Sequence, residues 1–251
     1  MIQITLIRLE GYGPWTTTLG DDREHRLQIL QARLYSDMQE QFSKRNGLVF
    51  FNRFDEMFAV SNGISKDEHE RILEIISTSY SNLKISMNIG IGPTPYKAHE
   101  YAKIATTTSS NMVNVYHDNY GNDDSDSLIQ IMHVDIDGST SNVSSVMLPY
   151  DISILVTRLN LALSEAFLAY GALTFFLGGD NFMIVSSRLS RDLVKTLLDK
   201  VMSTLNIRLK CGIGVASNAR GAAMLATRAL DTIREMRKKN VKYDNVLEFI
   251  A

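Results

Sequence analysis

FFLGGDNFMIV, residues 175–185, is the stretch that decides the fold. Two apolar runs flank Gly178, Gly179, Asp180 and Asn181, a pattern typical of a β-hairpin that turns on glycine. The sequence therefore predicts a hairpin with a carboxylate, that of Asp180, at its tip.

A second acidic stretch, MHVDIDGSTSN, lies upstream at residues 132–142. Strand alternation puts His133, Asp135 and Asp137 on one face and apolar side chains on the other. A strand with both faces in an apolar core would not carry three polar groups in that register. The face that carries them is therefore a candidate site. For His133, which shares the face of Asp135, a proton-transfer or a positioning role is open.

These two stretches together predict a magnesium site. Mg²⁺ prefers oxygen ligands, usually one or two carboxylates that waters and phosphates complete. Asp135 and Asp180, on adjacent central strands, supply the carboxylates, and the backbone carbonyl of Ile136 is a further candidate ligand. Asp137, at the strand end beside a loop, is the weaker candidate.

The loop after the acidic strand is suited to phosphate. Gly138, Ser139 and Thr140 are small residues whose amides and hydroxyls can bind phosphate oxygens before a helix begins. They are predicted to bind a nucleotide.

The same order of elements occurs twice in the chain. IMHVDIDGS (131–139) matches ITLIRLEGY (4–12) at an offset of 127 residues. LTFFLGGDNFMIVS (173–186) matches LVFFNRFDEMFAVS (48–61) at an offset of 125 residues. RLKCGIGVA (208–216) matches KISMNIGIG (84–92) at an offset of 124 residues. A near-constant offset indicates a tandem duplication.

Each half is predicted to have the order β-α-β-β-α-β followed by a helix and a strand. This is an α+β fold of two ferredoxin-like halves, with helices on one sheet face, the other face free, and the halves packed as a pseudo-symmetric pair. The predicted boundaries are 1–117 for the first half, 118–127 for a linker and 128–251 for the second half. A calcium-binding loop is the alternative interpretation of this acidic linker, but the segment lacks the terminal Glu of an EF-hand.

The halves differ where the chemistry is expected. Arg8 occupies the position of Asp135, so the metal site is assigned to the second half. Arg8 and Arg53 are candidates for phosphate or ribose contacts. Asn88 is a candidate for a base edge, and Arg234, in the last helix, for a terminal phosphate.

Composition excludes several classes of protein. The net charge of −2 provides no basic stripe for nucleic acid. The single cysteine, Cys211, excludes an internal disulfide and a cysteine zinc cluster. The N-terminus has neither a charged leader nor a long apolar run, so we expect a cytoplasmic protein without a membrane partner. The histidines other than His133, among them His69 and His117, are expected at the surface.

The DID strand and the GGDN hairpin resemble the catalytic domains of class III nucleotidyl cyclases and GGDEF diguanylate cyclases. The whole chain, with FNRFDEMF in its first half and FLGGDNF in its second, is more similar to archaeal GTP cyclohydrolase III. That resemblance covers essentially all 251 residues.

The resemblance implies an activity and a ligand set. Water would attack carbon-8 of GTP in a magnesium-dependent reaction, opening the imidazole ring with the formyl group retained and releasing phosphate. Asp135 and Asp180 would be catalytic metal ligands, and Gly178, Gly179 and Asn181 would approach the nucleotide. The resemblance also implies two Mg²⁺ ions, activation by a monovalent cation, and a homo-oligomer, a dimer or a tetramer.

Two other functions use the same residues. A nucleotidyl or diguanylate cyclase would activate a ribose hydroxyl at the metal site. The lack of an acidic residue at Asn181 counts against cyclic dinucleotide synthesis. A non-catalytic nucleotide sensor is disfavoured because Asp135 and Asp180 are both present.

Overall fold

The computed structural model describes residues 1–106, 112–117, 128–137 and 147–251. The chain divides into two compact units, residues 1–93 with 97–123, and residues 94–96 with 124–251. The predicted linker 118–127 lies outside the described residues, so the boundary between the halves stays a prediction.

Strands and helices follow each other in the predicted order in both halves. The first half contains β1 (Ile2–Glu10), α1 (Tyr12–Thr17), α2 (Glu24–Ser43), β2 (Leu48–Arg53), β3 (Glu56–Val60), α3 (Lys66–Ser79), β4 (Lys84–Gly92), α4 (Pro95–Ile104) and β5 (Val113–His117). The second half contains β6 (Ile129–Ile136), α5 (Pro149–Leu168), β7 (Leu173–Gly178), β8 (Asn181–Ser186), α6 (Arg191–Leu205), β9 (Leu209–Ala216), α7 (Ala219–Lys238) and β10 (Val246–Ile250). In the described segments no helix is both long and apolar enough to cross a bilayer.

Each half forms one five-stranded mixed sheet. The strand orders are β2-β3-β1-β4-β5 and β7-β8-β6-β9-β10. The first strand of each half pairs antiparallel with both of its neighbours, and the fifth strand extends the sheet in parallel. Four of the strands thus have the ferredoxin-like arrangement. The predicted α+β fold and its two equivalent halves are confirmed.

The duplication extends to the register of the strands. Arg8 lies opposite Glu56 in β1 and β3, and Asp135 lies opposite Asn181 in β6 and β8. A glutamine near the start of the first strand is repeated as well. The Gln3 amide donates to the Ser61 hydroxyl at 3.1 Å, and the Ser186 hydroxyl donates to the Gln130 amide oxygen at 2.7 Å. The same glutamine–serine pair is therefore hydrogen-bonded in both halves, with the direction of the bond reversed.

The hydrophobic core of the second half lies between its sheet and two amphipathic helices. Side chains of β6, β8 and β9 alternate into this core, as the sequence pattern predicts. The largest contributions from α5 and α6 are fully buried: Leu159, Leu163, Phe167, Val194 and Leu198.

The opposite face of each sheet also carries a helix, so the predicted free face is wrong. A Cβ atom at Gly212 would lie 2.0 Å from the carbonyl oxygen of Ala226, and one at Gly214 would lie 2.0 Å from that of Ala222. Helix α7 therefore packs directly on the backbone of β9. In the first half, Gly90 contacts α4 at Ala98 in the same way.

A short helix, α1, begins directly after β1. Its N-cap is Gly11, whose φ of 65° is in the left-handed region. The threonines at its end donate hydrogen bonds to carbonyls three residues earlier, which closes the last turn.

His69 is fully buried, which corrects the expectation of a surface residue. Its Nδ1 donates to the Ser65 carbonyl at 2.8 Å, and the Thr5 hydroxyl donates to its Nε2 at 2.8 Å. Burial lowers the pKa of His69 and outweighs the bond to Ser65, which raises it. The ring is therefore a neutral bridge between β1 and the start of α3.

We expect this burial to make the protein sensitive to acid. Because the folded pKa of His69 lies below the unfolded value of about 6.5, its stabilising effect is complete above pH 6.5 and is lost as the pH falls through the folded pKa. Each such histidine contributes a slope of at most about 1.4 kcal/mol per pH unit. In urea unfolding between pH 7.5 and 5.5, His69→Gln should show a shallower decline than the parent. The exposed His117→Gln is the control, and equal slopes for both variants would contradict the prediction.

The contact between α7 and β9 gives a second prediction. Gly212→Ala should lower the free energy of unfolding by about 3 kcal/mol or more, because backbone rather than a flexible side chain meets the new methyl group. Gly13→Ala is the matched control, since a Cβ there meets nothing within 4 Å and should change stability by less than about 1 kcal/mol. Chemical denaturation measures both, and a mild effect at Gly212 would mean that α7 can move away from the sheet.

Candidate active site

The two predicted metal ligands lie side by side in the second half. Asp135 lies opposite Asn181 of β8, one residue before the end of β6, and its carboxyl group is within hydrogen-bonding reach of that of Asp180. Gly178 and Gly179 have backbone φ values of 110° and 61°, which residues with a side chain rarely adopt. The glycines therefore allow the turn that brings Asp180 next to Asp135.

Two cations surround the Asp135 carboxylate, which is 4% exposed. Lys210 Nζ lies 3.0 Å and Arg234 Nη2 lies 2.6 Å from its Oδ2. Burial raises the pKa of Asp135, but the hydrogen bonds with Arg234, Lys210 and Asp180 together outweigh it and hold the pKa below its usual value. The carboxylate is thus ionised and paired on one oxygen.

Sequence reasoning identified Arg234 but missed Lys210. Lys210 lies opposite Asp135 in the register of β6 and β9, and its side chain is 9% exposed. The available signal was a single charge within an apolar strand, on the same face as Gly212 and Gly214. Such a charge is expected to be buried only with a partner of opposite sign.

Asp137 has partners of its own. Arg237 donates to its Oδ1 at 2.8 Å, and the Tyr243 hydroxyl donates to its Oδ2 at 3.3 Å. Both oxygens are therefore engaged by protein groups. Ile136, between the two aspartates, turns its side chain into the apolar core, which leaves only its backbone carbonyl as a possible ligand.

His133 lies on the same face as Asp135 but contacts other residues. Its Nε2 is 3.1 Å from Asn181 Oδ1, and its Nδ1 is 3.2 Å from Thr227 Oγ1. Burial lowers its pKa, although the hydrogen bond with Asn181 acts in the opposite direction. The ring is therefore neutral near pH 7.

The corresponding positions of the first half form a different ion-pair cluster. Arg8 and Arg53 both lie 3.6 Å from Glu56, and Arg53 also lies 3.3 Å from Asp55. Carboxylates of the same half thus neutralise both predicted nucleotide-binding arginines.

Asn88 is fully buried rather than open to a ligand. Its amide donates to the Ser86 hydroxyl at 3.4 Å, and its oxygen accepts from Asn114 at 2.9 Å. Of the other predicted nucleotide-binding residues, Gly138, Ser139 and Thr140 lie outside the described residues.

The donor set fits a magnesium ion that a ligand completes. Across the described segments there is no group of three or more His, Cys, Asp or Glu side chains arranged to hold a metal. Two adjacent carboxyls such as Asp135 and Asp180 need a shared proton or a cation between them. Mg²⁺ commonly uses only one or two carboxylates and takes its remaining oxygens from water and phosphate.

Comparison with known proteins gives the same family along nearly the whole chain. The model of the GTP cyclohydrolase III family matches residues 1–247. The GTP cyclohydrolase III of Methanothermobacter thermautotrophicus is 40% identical over 237 residues, which cover 93% of this chain and 95% of that protein. That of Methanocaldococcus jannaschii is 39% identical over 99% of this chain and 95% of its own length. Among solved structures, the GGEEF domain of a diguanylate cyclase from Vibrio cholerae is 15% identical, with a TM-score of 0.36 over 49% of this chain and 82% of that one. The chain belongs to the GTP cyclohydrolase III family.

Proposed function

We propose that the protein hydrolyses GTP in a magnesium-dependent reaction. The imidazole ring opens with the formyl group retained, and two phosphates are released. The product is 2-amino-5-formylamino-6-ribosylaminopyrimidin-4-one 5′-monophosphate. The observation that carries this proposal is the contact of Asp135 with Asp180 beside two cations, in a chain that belongs to the GTP cyclohydrolase III family.

Asp135 and Asp180 are the proposed ligands of Mg²⁺, together with the backbone carbonyl of Ile136. The bound ion supplies positive charge for the phosphates and lowers the pKa of a bound water. The pairing of Asp137 with Arg237 and Tyr243 makes Asp137 the weaker candidate.

Lys210 and Arg234 are proposed to stabilise the negative charge of the phosphates. Both contact one oxygen of Asp135, and Arg234 is 36% exposed, so its guanidinium remains open to solvent on one side. A guanidinium that is partly exposed beside a carboxylate pair has free N–H groups for a phosphate oxygen.

The ring opening needs one water molecule. The water oxygen bonds to carbon-8, the bond between carbon-8 and nitrogen-9 breaks, and a proton reaches nitrogen-9. Carbon-8 stays on nitrogen-7 as a formamide. Release of each phosphate consumes one further water molecule, so the reaction is balanced without an oxidant or a reductant.

The proposal predicts a defined set of products. Incubation with GTP and Mg²⁺, followed by mass spectrometry and a phosphate assay, should give the ring-opened monophosphate and two phosphates for each GTP. Removal of Mg²⁺ with EDTA should stop the reaction. A cyclic nucleotide with pyrophosphate would identify a cyclase instead, and bound but unchanged GTP would identify a non-catalytic sensor.

Substitution of either carboxylate should abolish turnover. Asp135→Asn and Asp180→Asn keep the shape of the side chain but remove the charge that binds the ion, so kcat should fall by at least about a hundredfold. Asp199→Asn, at an exposed position of α6, is the matched control and should leave the rate unchanged. Magnesium-dependent turnover retained by either site variant would refute the metal assignment.

The family also leads us to propose a homo-oligomer, a dimer or a tetramer. Apolar side chains on α5 are well exposed in the single chain, with Tyr150 at 78% and Leu161 at 59%. An exposed apolar helix face of this kind is typical of a surface that another chain covers.

A further inference from the structure

A chain of hydrogen bonds connects helix α7 to Asp180. Thr227 of α7 contacts His133 Nδ1 at 3.2 Å, and His133 Nε2 contacts Asn181 Oδ1 at 3.1 Å. The Asn181 amide nitrogen then donates to Asp180 Oδ1 at 3.2 Å. Each of the two middle residues therefore joins one neighbour on either side.

The direction of every bond in the chain follows from its last member. Asp180 Oδ1 accepts from the amide nitrogen of Asn181, so the amide oxygen of Asn181 faces His133. An amide oxygen only accepts, so His133 carries its proton on Nε2. The Nδ1 atom of the neutral ring then accepts from the Thr227 hydroxyl.

This arrangement leaves His133 with no free ring nitrogen. A residue that transfers a proton needs a nitrogen within hydrogen-bond reach of the substrate. Both nitrogens of His133 are bonded to protein atoms instead.

We propose that His133 is a positioning residue, which acts through Asn181 to orient the Asp180 carboxylate for Mg²⁺. This inference rests on the proposed function, since it assumes that Asp180 is a metal ligand. Groups that hydrogen-bond to a metal ligand fix its orientation, and their loss typically weakens metal binding by about 10- to 100-fold.

The same chain gives Asn181 a role. The Asn181 amide offers an acceptor to the imidazole N–H through its oxygen and a donor to the carboxylate through its nitrogen. An acidic residue at this position would offer no donor to Asp180 and would add a like charge beside it. Asn181 is thus a connector between His133 and Asp180.

A pair of amide substitutions tests the proposal. His133→Gln places an N–H group near the position of the imidazole Nε2, whereas His133→Asn reaches only to the position of Nδ1. Binding is measured with Mn²⁺ as the probe ion, by electron paramagnetic resonance of the full-length protein with a non-hydrolysable GTP analogue. The Mg²⁺ concentration for half-maximal turnover of GTP is the second readout.

His133→Asn should weaken ion binding about tenfold or more, and His133→Gln should recover most of that loss. Asp180→Asn is the reference that removes the ligand itself. If His133→Asn does not fold, Thr227→Val carries the test, because it removes the hydroxyl donor at nearly constant shape and should weaken ion binding in the same direction.

Three results would overturn the proposal. Ion binding by His133→Asn and Thr227→Val equal to that of the parent would exclude a positioning role. Loss of turnover in both amide variants at unchanged ion binding would assign His133 to proton transfer. Normal ion binding by Asp180→Asn would instead refute the metal assignment of the proposed function, and this inference with it.

A double-mutant cycle tests the route through Asn181. If His133 acts only through that residue, His133→Asn should change ion binding by less than about twofold in a chain that already carries Asn181→Ala. Additive losses would show that His133 acts on the site by another route.

Discussion

The close approach of α7 to β9 is the constraint on which the site depends. Gly212 and Gly214 carry no side chain, so the helix backbone lies directly on the strand. The helix is then close enough for three of its side chains to reach polar groups of the neighbouring strand and its end. Thr227 contacts His133, Arg234 contacts Asp135, and Arg237 contacts Asp137. Two glycines in one strand thereby set the partners of two polar residues in β6 and of one directly after it.

The duplicated scaffold shows how little of the fold requires this chemistry. Both halves keep the strand order and a helix packed on glycine. Both also keep a hydrogen bond between the side-chain amide of a glutamine, Gln3 or Gln130, and a serine hydroxyl. At the position of Asp135 the first half has Arg8, which lies in a partly exposed ion pair with Glu56. The equivalent sheet of the first half therefore forms with the opposite charge at this position.

The alternation of apolar and polar residues and the positions of turn residues were sufficient to predict much of this structure from sequence. Alternation placed Asp135 and His133 on one face, and the glycines placed Asp180 at a hairpin tip beside them, because both features are local. The partner strand of Lys210 depends on register across the sheet, which no local pattern specifies. Glycine in a strand is equally typical of a bulge, so the sequence did not reveal that a helix covers that face. His69 was assigned to the surface because its buried position depends on Thr5, 64 residues away along the chain.

The energetics of Asp135 argue for a role in binding. Removing a carboxylate and an ammonium from water costs several kcal/mol for each ion, and their attraction often only offsets that cost. An apolar residue at 135 would meet no such cost, and the first half shows that the sheet tolerates other residues there. A buried carboxylate that is paired on one oxygen and contacts a second carboxyl group is thus a poor way to stabilise a sheet. It is a suitable way to hold negative charge where a cation and a phosphate can meet.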